Sequence, residues 1–173
     1  MSMSDYEKFV PFEIRLLVHD LVAQARDNLE RDGFLAPVAF VGRFDGWIRI
    51  CAGLNRLSKD EGARLVRLAA KKHDADFVLF IDEAWLKEFQ ANSLSEARRI
   101  RDEVGGEVRD IAGRLDVVMF NLQTHAGMFA AHAERIPLER APGKYTFGMV
   151  EFDRPKLAEG RFVSMLPARE GKQ

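Results

Sequence analysis

Val10, Ile14, Leu17, Leu21 and Leu29 recur near helical spacing, with polar and charged residues between them. A stripe of that period predicts one amphipathic helix over Pro11 to Arg31, its apolar side on a core. Pro11 suits the first turn, where its missing N–H has no partner to lose, and Gly33 suits a left-handed cap at the far end. The period then changes. In LAPVAFVGRFDGWIRICAG two β-rich runs flank Phe44-Asp45-Gly46, and a three-residue loop with Gly46 left-handed closes them into a hairpin. That register sets Val38, Phe40, Ile48 and Ile50 on one face. Arg43, Trp47 and Arg49 share the other with Val41 and Cys51.

Ser58 and Glu61 form a capping box that opens a second helix, running to about His73 with Leu65, Leu68 and Ala69 inward. Asp76 to Ile81 has no polar interruption between its ends, the pattern of a strand buried on both faces near a sheet's centre. The periodic signal fades from Ala84 to Gly113, where Ser93 and Glu96 predict a second capping box and a short charged helix ended by Gly105-Gly106. The last third alternates again. DVVMFNLQTHAGMFAAHAERIPL reads as two strands about an Ala126-Gly127 turn, KYTFGMVEFD as another strand and RFVSML as a last one. The order is α-β-β-α-β-(α)-β-β-β. Consecutive strands at the end favour antiparallel pairing. The fold class expected is α+β, a mixed, mostly antiparallel sheet of about six or seven strands, with two main helices and one short one covering one face. The 173 residues fit a single domain, 1–173, with loose ends at 1–10 and 168–173.

Composition narrows the partners. The chain is 47% hydrophobic with 13 Phe, which argues against disorder. Its 26 basic residues balance 27 acidic ones, so no global field draws it to nucleic acid or an anionic membrane. The single Cys51 cannot form an internal disulfide, which fits a reducing compartment. No basic start followed by an apolar segment opens the chain. No apolar run approaches the roughly 20 residues of a spanning helix. The expectation is a cytoplasmic protein with neither membrane nor nucleic acid as partner.

DFVLFIDEAW, Asp76 to Trp85, resembles a Walker B strand running into its acids. Such acids hold a metal only beside a phosphate loop, G-x-x-x-x-G-K-[ST]. The Gly-Lys pairs are Gly143-Lys144 and Gly171-Lys172, followed by Tyr145 and Gln173, so the loop is missing. Asp82-Glu83 then reads as a buried strand reaching the surface, with Trp85 packing back on the core. His19, His73, His125 and His132 show no metal-ligand spacing. With a two-residue Ala126-Gly127 loop His125 and His132 stand roughly 13 Å apart, too far to share an ion, and a three-residue loop puts them on different faces or in the turn. No cofactor or metal is expected. There is no G-x-S-x-G elbow, and Cys51 falls inside a strand, where a lone thiol packs inertly. Trp47 with Arg43 and Arg49 echoes the aromatic-basic faces of RNA-binding sheets, but reads better as a half-buried ring covered by arginines. Arg98, Arg99 and Arg101 form a solvated helix face that could touch an acidic partner.

ERDGFLAPVAFV, then DFVLFIDEAW, then DVVMFNLQTHAGMF together resemble a loosely defined group of small bacterial and phage proteins. The shared marks are an Asp-Gly before the first strand and a Glu-Ala-Trp after the middle one. The resemblance covers about Glu30 to Pro137. It implies an α+β fold and carries no activity. The Ala84–Gly113 segment of this chain is longer and more charged than the pattern.

Two functional readings follow. The first is a non-catalytic protein-interaction module that binds another protein or itself as a homodimer, since an unclosed sheet has free edges that natural proteins cover or pair. Its candidate surface is Arg43, Trp47, Arg49, Arg98, Arg99 and Arg101. The second is a small metal-dependent hydrolase or nuclease, with Asp82 and Glu83 holding the ion and His125 as base.

Overall fold

The computed structural model describes residues 2–86, 92–96, 98, 99, 115–155 and 164–167. Along the chain these form α1 (Asp5–Phe9), α2 (Phe12–Asp32), β1 (Val38–Gly42), β2 (Ile48–Cys51), a 3₁₀ turn (Leu54–Arg56) and α3 (Lys59–Lys72). Then come β3 (Phe77–Leu86), β4 (Leu115–Thr124), β5 (Gly127–Glu134), β6 (Ile136–Pro137) and β7 (Tyr145–Thr146). The class is α+β, as expected. The seven strands divide into a five-stranded sheet of order β2-β1-β3-β4-β5 and a separate β6-β7 pair, and every pairing is antiparallel.

β3 holds the centre because it is apolar on both faces. Phe77, Leu79 and Ile81 enter one core, and Val78 and Phe80 enter another. α2 lies over the first face, on Phe40, Phe120, Leu122 and Phe129. α3 lies over the second, on Ala39, Val41 and Cys51. The helices thus cover both faces rather than one. A central strand with no polar side needs a cover on each.

α2 begins one residue after Pro11 and ends at Gly33, whose φ of 80° and N–H donation to Leu29 O make the left-handed cap. The β1–β2 hairpin has the expected register, with Phe40 opposite Ile50 and Val41 opposite Arg49. Gly46 takes φ 101°, as its turn requires. Ser58 Oγ accepts from Glu61 N at 3.1 Å and Glu61 Oε2 accepts from Ser58 N at 2.9 Å, so the predicted capping box is formed. Ser58→Ala is expected to cost about 1 kcal/mol in urea unfolding by removing one side of that box.

Several expectations are corrected. Leu65 and Leu68 point outward, and α3 instead buries Gly62, Ala63, Val66 and Ala70, small side chains that let it lie close to β1. The described part of the first ten residues, 2–10, is held in place. α1 carries its own Ser4–Glu7 capping box, Val10 is buried, and Tyr6 stacks on Phe152. The β4–β5 turn is His125-Ala126, not Ala126-Gly127, with Thr124 opposite Gly127 and Thr124 Oγ1 accepting from Ala126 N. KYTFGMVEFD is strand only at Tyr145–Thr146, with one further bridge from Asp153 to Ala130.

Ser164–Leu166 are not strand. Buried Met165 donates its N–H to Gln123 Oε1 at 2.8 Å, which ties this segment to β4. Ser93 Oγ accepts from Glu96 N, whereas Glu96 reaches Asn92 N rather than Ser93 N, so only half of the second box forms. Gly105, Gly106, residues 168–173 and the side chain of Trp85 lie outside those described.

Candidate functional site

The acidic pair is decided by strand geometry. β3 continues through Asp82 and Glu83 to Leu86, and successive side chains on a strand point to opposite faces. Asp82 therefore shares the face of Val78 and Phe80, under α3, and Glu83 shares the face of Leu79 and Ile81, under α2. Burial pushes the Asp82 carboxyl up to about 6, opposed by a hydrogen bond from Glu83 N and by Lys59. Burial also raises the Glu83 carboxyl, opposed first by Arg135. Arg135 Nε lies 3.3 Å from Glu83 Oε1, and its guanidinium covers the Tyr145 ring at 4.0 Å.

His125 is at the other end of the ladder. Asp82 pairs with Met119, and His125 follows six positions later in the chain, roughly 20 Å along the strand. There its Nε2 lies 3.1 Å from Ala75 O. Asp82, Glu83 and His125 do not form one site. His132 stands opposite Met119, also well away from His125. Among the described residues no group of three or more His, Cys, Asp or Glu side chains is placed to hold a metal ion. Cys51 is buried, and burial raises its thiol.

The hairpin residues do converge. Trp47 stacks on His73 with ring centroids 4.3 Å apart, and Arg49 Nη1 lies 3.1 Å from His73 Nε2. Partial desolvation lowers the His73 pKa first, and then Arg49, Lys72 and Arg43 do. The neutral ring this favours can accept from Arg49. Arg43 pairs with Asp45, and Asp76 accepts from Phe44 N at 2.7 Å. Arg98 and Arg99 are exposed on the segment after Ser93, and Arg101 lies outside the described residues. The sequence offered His73 only as a metal ligand and did not join it to this hairpin, because nothing at a helix's end marks a stacking partner distant in sequence.

The sheet's two edges differ. On the β5 side, Ala130 and Asp153 exchange N–H···O bonds of 2.8 and 3.0 Å. Arg154 braces that contact by bonding Asp5 and lying over the Phe129 ring. On the β2 side, no described strand covers the edge. Arg43 N donates to Trp47 O, so Arg43–Trp47 is a hydrogen-bonded pair. Bonded and non-bonded pairs alternate along an antiparallel ladder. Arg49 and Cys51 therefore bond β1, and Ile48 and Ile50 turn their N–H and C=O outward. Ile50 is 61% exposed, Ile48 37%, and nearby Phe34 60%. Beside them a groove of about 420 Å³ opens between α2 and the sheet, lined by Leu21, Ala25, Phe34, Val38, Phe40 and Ile50 among others.

A larger groove of about 1020 Å³ lies between α1, α2 and Met149–Asp153. Its lining mixes Arg15, His19 and Arg26 with Glu7, Glu151 and Asp153, and so singles out no ligand charge.

No family model matches the chain, and no curated protein or solved structure does. No described helix is long and apolar enough to cross a membrane.

Proposed function

We propose that the protein is a non-catalytic interaction module that captures an extended segment of another protein by adding it as a strand to the edge of β2. The observation that carries this reading is the asymmetry of the two edges. The β5 edge has a backbone bridge and an arginine brace, whereas β2 turns two N–H and two C=O groups outward beside exposed isoleucines. Open edges of this kind pair with extended chain, the backbone bonds supplying affinity.

One self-pairing register of two copies is disfavoured at this edge. A two-fold antiparallel pairing that sets Ile48 opposite Ile50 of the other copy also sets Arg49 directly opposite Arg49. Like charges in that position destabilise a sheet. The hydrolase reading draws no support from the geometry, because its three residues stand apart.

The test is selection of short extended peptides from a display library, followed by amide exchange on the complex. Bound peptide is expected to slow exchange at Ile48 and Ile50 specifically. Ile50→Pro should abolish capture while leaving the far-ultraviolet dichroism unchanged, because that N–H makes no bond to β1 and proline is tolerated on edge strands. Selected peptides that bind without protecting those two amides would refute the reading, as would a protein that remains monomeric by light scattering and selects nothing.

A further inference from the structure

We infer that the strand captured at β2 has an apolar–acidic–apolar pattern, its acidic side chain set against Arg49 and its apolar ones on the side of the groove beneath α2. This rests on the strand-addition reading and specifies its partner. The two sides of the β2 edge have opposite chemistry. On the α2 side stand Ile48 and Ile50, with the groove next to Ile50, mostly apolar but also lined by Gln24, Asn28 and Asp32 from α2. On the α3 side stand exposed Arg49, held at His73, with Lys72 close enough to depress the same imidazole. Arg43 adds little to this side because Asp45 already pairs with it.

The ladder converts this asymmetry into a sequence pattern. An antiparallel strand added at the outward groups makes hydrogen-bonded pairs with Ile48 and Ile50. Cross-strand partners share a face, so the incoming residues opposite Ile48 and Ile50 lie on the groove side. The residue between them lies opposite Arg49, in a non-hydrogen-bonded pair, where side chains approach most closely. An apolar residue there would leave Arg49 and Lys72 uncompensated. A basic one would repel them. A carboxylate accepts from Arg49 in the charge-assisted manner that guanidinium favours.

The experiment uses three soluble peptides alike except for the central residue, Ser-Val-Glu-Val-Ser, Ser-Val-Lys-Val-Ser and Ser-Val-Ser-Val-Ser, each flanked by the same polar ends. Binding to the full chain is followed by Ile48 and Ile50 amide shifts. The Glu peptide is expected to bind about tenfold more tightly than the Lys peptide, with the Ser peptide between them. Arg49→Glu, a change at an exposed side chain, should invert that order. Lys72→Glu should narrow the preference, and it reports independently if Arg49→Glu weakens the hairpin. Equal binding of all three peptides at Ile48 and Ile50, with the order unmoved by either variant, would overturn this inference and leave the strand-addition reading standing. Absence of any shift at those two amides with every peptide would remove both.

Discussion

Replacing Arg135 with methionine is expected to lower the stability of the protein by about 2–4 kcal/mol at neutral pH. Glu83 turns toward the α2 face, where its carboxylate has Arg135 as its partner at 3.3 Å. The two atoms are close enough for an ion pair, but they are misaligned for a hydrogen bond, and both are cut off from solvent. The charge interaction depends on that distance and does not need the angle that a hydrogen bond does. The Arg135 guanidinium also lies over Tyr145 and reaches Gly33 O at 3.4 Å. Removing it leaves a partly buried carboxylate without its counter-charge, next to Asp116, and burial already pushes the Glu83 carboxyl above its ordinary range. About a fifth of each side chain is exposed, which keeps the loss below that of a sealed pair.

The double variant Glu83→Leu/Arg135→Met should recover most of the loss, because both desolvation costs disappear together. The single variant's deficit should shrink as the pH is lowered and the Glu83 carboxyl, already raised by burial, takes up a proton. Urea titrations of the four proteins form the cycle. A double variant no more stable than Arg135→Met would show that the arginine acts through its stacking on Tyr145 and not through charge.

Asp82→Asn is expected to stabilise the protein at pH 7.5 by roughly 1–3 kcal/mol, since each pKa unit corresponds to about 1.4 kcal/mol and the site is only partly enclosed. The sign follows from linkage. Burial pushes the folded carboxyl up to about 6 from an ordinary 3.8. Between those values the folded protein holds its proton more tightly than the unfolded chain does. Stability therefore falls as pH rises through the window and stays level above it. Asparagine cannot ionise, yet its Oδ1 can still accept from Glu83 N, the bond that Asp82 makes at 2.8 Å. The gain should be largest above pH 7 and vanish near pH 4. A variant less stable than the parent at pH 7.5, or a difference flat with pH, would mean that the Asp82–Lys59 attraction outweighs desolvation.

Signals with a short reach were legible in the chain. The capping box at Ser58, the Gly33 cap, the Gly46 turn and the hairpin register around it each depend on residues within a few positions of one another. The apolar run Phe77–Ile81 also placed β3 correctly at the centre, because a strand without a polar side must be covered twice. The outcome of the acidic pair was partly legible too. Alternation alone separates Asp82 from Glu83 once the strand is known to continue past Ile81, and that continuation was the missing piece, since β4 offers partners as far as Leu115.

What tertiary structure decided lies beyond local period. In α3 two stripes fit a helix equally well, Leu65-Leu68-Ala69 and Gly62-Ala63-Val66-Ala70, and hydrophobicity favours the leucines. The smaller set faces inward, with Ala69 packed partly beside it as expected, because α3 packs closely on β1, and only the packed sheet imposes that distance. His125 slipped into the turn because Thr124 pairs with Gly127 and caps the loop with its hydroxyl, a competition between neighbouring registers that differ by one loop position. The arrangement at β2 was half visible. Periodicity put Arg49 and Ile50 on opposite faces, but strand order put β2 at an edge that no other described strand covers, and a helix distant in sequence brought His73 against Trp47. Sequence thus determined α2, α3, the cores of the main-sheet strands and the faces of the hairpin, because backbone propensity and alternation act locally. Tertiary structure alone determined which edge of the sheet no described strand covers, the groove beside it and the separation of Asp82 from His125, because each depends on which distant surfaces are buried against one another.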